Sequence, residues 1–202
     1  MPFHPAHLLA SLAALTLLVG CGSLLPPPPP PEQVYVLEAA PAPSTVKPAV
    51  PRNIVLAVSP PRARAGYDSA QMVWVRQSHG LEVFARNRWA DTPARMLTPL
   101  LVQSLQRTGT FQAVVPSTSN VAAGWRLDTE IVRLQQDFSV KPSRVQLTLS
   151  VQLVDLATRR VIASAEFEEV ETAETEEAYG GVRAANRALG RMLTRVAAFC
   201  DR

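Results

Sequence analysis

The sequence predicts an α/β fold: a single globular domain built on a mixed, largely antiparallel sheet with two main amphipathic helices packed against it. Three stretches carry this prediction. From Val145 to Leu153, apolar Val145, Leu147, Leu149, Val151 and Leu153 alternate with Gln146, Thr148, Ser150 and Gln152, the period of a strand with one buried face. Between Thr92 and Thr108, residues Met96, Leu97, Leu100, Leu101 and Leu105 recur at helical spacing. From about Glu176 to Phe199, Val182, Ala185, Leu189, Met192, Leu193 and Val196 do the same. Strand runs interleaved with helical runs imply helices layered on a sheet.

In chain order, QVYVLEA from Gln33 reads as a first strand, rich in β-branched and aromatic residues, and the proline-bearing stretch from Ala40 to Pro51 as a loop. NIVLAVS, Asn53 to Ser59, is nearly all apolar, as in a strand buried on both faces. PPRARAGYDSA reads as loop, and QMVWV with LEVFA as a hairpin or two successive strands. Asp91 or Thr92 can cap the helix that follows, Pro93 suits its first turn and Gly109 its exit. Pro99 predicts a kink there, or a helix that begins near it, because an interior proline removes a hydrogen bond at a cost of about 3 kcal/mol. FQAVV, WRLDTEIVRLQQDFS, RVQLTLSVQLVDL and VIASAEFEEV then read as strands, the last three long and antiparallel. In the final helix Gly180, Gly181 and Gly190 lower the intrinsic propensity and suggest a close approach to the sheet. Arg183, Arg187, Arg191 and Arg195 step by four along the face opposite the apolar stripe.

The chain has 202 residues, a formal charge of +3, 47% apolar and 18% charged residues, which is ordinary for one folded domain. The basic residues are arginines apart from Lys47 and Lys141, with no basic cluster interleaved with aromatics, so nucleic acid is not an expected partner. The acidic run of Glu166, Glu168, Glu169, Glu171, Glu174, Glu176 and Glu177 suits a solvated strand end and helix start, or a docking patch for a basic partner or an arginine stripe on another copy.

The first twenty residues have the layout of an export signal. Their apolar stretch, Leu8 to Val19, is shorter than the roughly 20 residues a spanning helix needs. Leu18-Val19-Gly20-Cys21 resembles the bacterial lipobox, in which the cysteine thiol receives a diacylglyceryl group, so Cys21 is the expected lipid attachment site. Several acyl chains, at ~0.8 kcal/mol per buried CH₂, hold a protein on a membrane essentially permanently. Pro26 to Pro31 lack amide donors and favour polyproline II, so residues 21–31 form a tether reaching roughly 30 Å from the lipid. Gly22 stands where an aspartate would favour inner-membrane retention of a bacterial lipoprotein; the expected place is the outer membrane, facing the periplasm. The organisation expected is thus a signal over 1–20, a lipidated tether over 21–31 and a domain over 32–202. Acylation of Cys21 leaves Cys200 without a partner in its own chain, as a buried small residue or a thiol open to an intermolecular bond.

Catalytic signatures are lacking: beyond the signal the one histidine is His79, and no zinc spacing, nucleophile elbow, phosphate loop or dinucleotide fingerprint occurs. A non-catalytic protein without cofactor is expected. Trp74 and Trp89, with Arg86 and Arg88 close by, form the candidate partner-binding set, since tryptophan and arginine dominate interface hot spots; core packing is the alternative for each tryptophan.

Tyr35-Val36-Leu37, Tyr67-Asp68, the strand Met72 to Arg76, and Arg88-Trp89-Ala90-Asp91 at a helix start fall in the order seen in the ABC-type transport auxiliary lipoprotein family, which the chain resembles over about Gln33 to Phe199. Asp91-Thr92-Pro93 replaces the commoner Glu-Pro-Leu. The resemblance implies a lipoprotein working with an ABC permease and ATPase and a mammalian-cell-entry (MCE) type substrate-binding protein, moving phospholipid or other hydrophobic molecules between membranes, as a homo-oligomer and without family-wide catalytic residues. A pilotin or assembly lipoprotein escorting an outer-membrane pore or secretin is the alternative reading.

Overall fold

The computed structural model describes residues 28–38 and 51–201. The expected signal, Cys21 and most of the loop from Ala40 lie outside the described residues. The folded unit spans Glu32–Arg202. Its elements are β1 (Gln33–Tyr35), β2 (Arg52–Val58), β3 (Arg62–Ala63), β4 (Gln71–Val75), β5 (Glu82–Trp89), α1 (Pro93–Thr108), β6 (Phe111–Pro116), β7 (Trp125–Asp137), β8 (Arg144–Asp155), β9 (Arg160–Thr172) and α2 (Ala178–Cys200).

Strand β7 is the spine of the sheet. One of its edges pairs antiparallel with β8 from end to end, and β8 pairs likewise with β9. Its other edge is shared in succession by β2, β3 and β4, all parallel to it. β6 flanks β2, while β5 and then β1 flank β4, giving an open, mixed sheet in which the two long ladders and the short β4–β5 pair are antiparallel and the other short ladders parallel. The two-residue β3 corrects the reading of PPRARAGYDSA as loop alone: Arg62 and Ala63 settle beside Glu130 and Ile131 because β7 outlasts β2 and leaves backbone groups to pair.

One face of β8, Val145 through Leu153, is buried as its alternation predicts. Leu97, Leu101 and Leu105 of α1 and Val182, Ala185, Leu189, Met192, Leu193 and Val196 of α2 join the same core. Thr92 caps α1 by accepting from the Arg95 amide at 3.4 Å, Pro93 occupies the first turn, and Gly109 leaves the helix at φ 66°. The helix does not begin at Pro99 but runs through it. Pro99 and Arg95 are both exposed, so the Arg95 carbonyl that loses its helical donor faces water, which lowers the cost of the proline. Gly181 rests against β7, where a Cβ would come within 2.8 Å of Gln136 Cδ and closer still to Gln136 Oε1; the helix reaches the sheet only because that residue is glycine. Cys200 is fully buried at the end of α2, and burial pushes its thiol up to about 12.

Candidate functional site

The four residues expected to contact a partner separate into three environments. Trp89, at the end of β5, is 4% exposed and belongs to the core, so its ring is out of a partner's reach. Arg88 is held by Glu32 at 2.7 Å and donates to the Trp89 carbonyl at 3.3 Å. Arg86 is exposed on β5. Trp74 is half-buried, edge-on to Phe138 with centroids 5.8 Å apart, 6.2 Å from Phe84, and covered by the Arg76 guanidinium at 5.0 Å. Trp74, Arg86 and the ion-paired but still solvent-facing Arg88 therefore remain as surface residues, with Leu81 and Val83 exposed on the same hairpin.

A polar cleft of about 410 Å³ opens beside this hairpin, between the β4–β5 turn and the start of β8, lined among others by Tyr67, His79, Arg133, Gln135 and Asp137. The Tyr67 hydroxyl donates to Gln135 Oε1 at 2.5 Å, and Gln135 Nε2 donates to Gln146 Oε1 at 2.9 Å. Burial pushes the Tyr67 pKa up against the lowering effect of Arg133, so the phenol stays a donor. Burial also works to raise the Asp137 carboxyl, but hydrogen bonds from Ser139 and Arg144 outweigh it and hold the group below its usual value. Arg133 is shared with Glu168 at 3.4 Å. Each charge in the cleft thus already has an opposite neighbour, and nothing there concentrates one sign. Among the described residues no group of three His, Cys, Asp or Glu side chains is placed to hold a metal ion, and no helix is long and apolar enough to cross a membrane.

The acidic run and the arginine stripe meet each other within the chain. Arg183 binds Glu174 at 2.8 Å; Arg187 binds Glu171 at 2.7 Å and Glu174 at 2.8 Å. Arg191 joins Glu169 at 2.8 Å to Glu171 at 2.7 Å, and Arg195 binds Glu169 at 2.8 Å. Burial alone would raise the carboxyls of Glu169 and Glu171, yet the guanidinium groups keep both below the usual range. Glu169, Glu171, Glu174 and the four arginines are therefore not free patches awaiting partners of opposite charge.

The motif residues of the resemblance form a structural joint. The Ala90 amide donates to the Tyr35 carbonyl at 2.6 Å, tying β1 to the start of α1, and the Trp89 amide donates to Ala70 at 2.8 Å. Tyr35 also packs on Tyr179 of α2, centroids 6.0 Å apart, while the Asn186 side chain accepts from the Glu38 amide at 2.8 Å and donates to the Val36 carbonyl at 3.4 Å. No sequence signal marked Asn186. The motif thus secures the segment with which the folded unit opens.

Residues 35–197 match the family of ABC-type transport auxiliary lipoprotein components. The chain belongs to this family. Three solved structures share the auxiliary lipoprotein's fold. Protein XCC0632 of Xanthomonas campestris, of family DUF330, aligns at 20% identity with a TM-score of 0.74, covering 83% of this chain and 94% of that one. An uncharacterized protein aligns at 13% identity and 0.68, covering 85% and 99%. The hypothetical protein CT253 of Chlamydia trachomatis aligns at 10% identity and 0.52, covering 74% and 96%. At these identities the likeness is one of fold. None of the curated proteins matches this chain.

Proposed function

We propose that this auxiliary lipoprotein is a non-catalytic component of an ABC/MCE-type system that carries lipid or another hydrophobic solute between membranes, held at the outer membrane through acylated Cys21 and docking the periplasmic component there. The observation that supports this reading best is the arrangement of the chain. A unit matching the family from residue 35 starts at Glu32, directly after a cysteine and a proline-rich stretch built as anchor and spacer. ATP hydrolysis belongs to another subunit in this reading. Trp74, Arg86 and Arg88 are the proposed contact residues; Trp89 acts from beneath by positioning β5.

The test is a pull-down from detergent-solubilised envelopes with wild-type chain and Cys21→Ser, with mass spectrometry of the partners and of the mature N-terminus. Recovery of an MCE-type protein or its permease with an acylated Cys21 is expected. Recovery of a secretin or another pore instead makes the protein a pilotin, and an unmodified Cys21 removes the anchor.

A further inference from the structure

We infer that Arg187, Arg191 and Arg195 of α2 form a guard on the outer edge of β9, taking the place of a neighbouring strand so that no other extended chain, a second copy above all, adds to the sheet there. Among the described residues β9 pairs with β8 alone, and none of them adds a strand to its other edge. In an antiparallel strand every second residue turns its N–H and C=O to the same edge. Arg187 Nη2 donates to the Thr172 carbonyl at 3.1 Å, Arg191 Nη2 to Val170 at 3.2 Å and Arg195 Nη1 to Glu168 at 2.7 Å. These are consecutive outward carbonyls, each taken by a guanidinium.

The match has a geometric cause. Four residues of helix rise about 6.0 Å, and two residues of strand advance about 6.6 Å, so an arginine at every fourth helix position meets every second carbonyl of a strand running the opposite way. Arg183 continues the helical step, but β9 has ended, and it binds the Glu174 side chain instead. Glu169 and Glu171 hold the three guanidinium groups at the edge.

The edge merits such a guard, because Val161, Ile162 and Val170 of β9 are exposed and β-branched, and an unpaired strand of that kind is an aggregation site. Beyond the guard the register shifts between Ala163 and Val161, a bulge that bends the strand and leaves only a short straight stretch. Another edge strand, β6, has a comparable device: Gln106 of α1 donates to the outward Val114 carbonyl of β6 at 3.0 Å, and Pro116 closes that strand with no amide. The inference is independent of what the lipoprotein transports.

The test compares the detergent-solubilised full chain with three variants by analytical ultracentrifugation across a concentration series, with thioflavin fluorescence as a second readout. Arg187→Gln/Arg191→Gln/Arg195→Gln is expected to form species larger than the parent's at a concentration roughly tenfold lower or less, the scale carried by one charge-assisted hydrogen bond. Adding Val170→Lys, a charge on the exposed edge, is expected to reverse this. Glu169→Gln/Glu171→Gln loses the ion-pair charge, but each amide oxygen still accepts from the guanidinium groups and keeps them over the carbonyls, so this variant is expected to hold the parent's size. Should the triple variant fail to fold, Arg191→Gln alone serves, with the same direction. A folded guard variant that keeps the parent's size throughout overturns the inference. So does equal assembly by the glutamate variant, which would trace association to lost stability and not to an opened edge.

Discussion

Gly181 of α2 lies directly over the Gln136 side chain of β7, with no room for a methyl group between helix and sheet. Gly181→Ala is expected to destabilise the fold by about 1–3 kcal/mol, the usual cost of overpacking, even though alanine is the better helix former. Gln136 also donates to Ser143 at 3.0 Å, so Gln136→Ala is costly by itself. Combining the two substitutions is expected to cost less than their sum, because the second removes the atoms the first strikes. Urea unfolding of the four chains measures this; strict additivity would contradict the contact.

Trp74 and Trp89 should differ sharply in what their removal does. Trp89→Ala empties a core position and is expected to cost about 3–5 kcal/mol of stability. Trp74→Ala removes a half-buried ring at the rim of the sheet and is expected to cost less than half as much, while weakening partner recovery in the pull-down. Equal losses of stability would place Trp74 in the core with Trp89.

The depressed pKa values of Glu169 and Glu171 set a direction for acid stability. A carboxyl with a lower pKa in the folded chain than in the unfolded one adds stability above its unfolded value, near 4.3, and that stability is lost as pH falls through the folded value. Unfolding free energy is thus expected to hold level near neutrality on their account and to decline below about pH 4.5. Glu169→Gln should flatten that decline and lower the plateau. An unchanged slope in the variant would contradict the ladder.

Cys200 is buried with its thiol raised to about 12, so little thiolate exists near neutral pH and none of it is accessible. In Cys21→Ser, a thiol reagent is expected to modify Cys200 only as fast as the chain unfolds, with full reaction in denaturant. Rapid reaction of the native chain would contradict its burial and reopen an intermolecular bond.

The sequence carried the antiparallel ladders and both helices plainly, because their signals are local: alternation along Val145 to Leu153, and Thr92, Pro93 and Gly109 as start and stop. The order of β2, β3 and β4 along β7 was not legible, since parallel pairing depends on connections that leave no mark in the strands. Nor did spacing reveal that Arg187, Arg191 and Arg195 serve Glu169, Glu171 and the β9 backbone. A four-residue step describes a helix face without saying what that face meets. Trp74 and Trp89 look alike in sequence and differ only because β5 delivers Trp89 into the core beside Gly181 and Ala185 of α2.

The most direct test of the proposed role is vesicle flotation. Liposomes carrying the acylated chain are mixed with the purified MCE-type protein recovered from envelopes and floated on a density gradient. The MCE-type protein is expected to float with these vesicles and to stay at the bottom when the chain is Cys21→Ser. Failure of a correctly acylated, vesicle-bound chain to carry that protein upward would contradict the docking role.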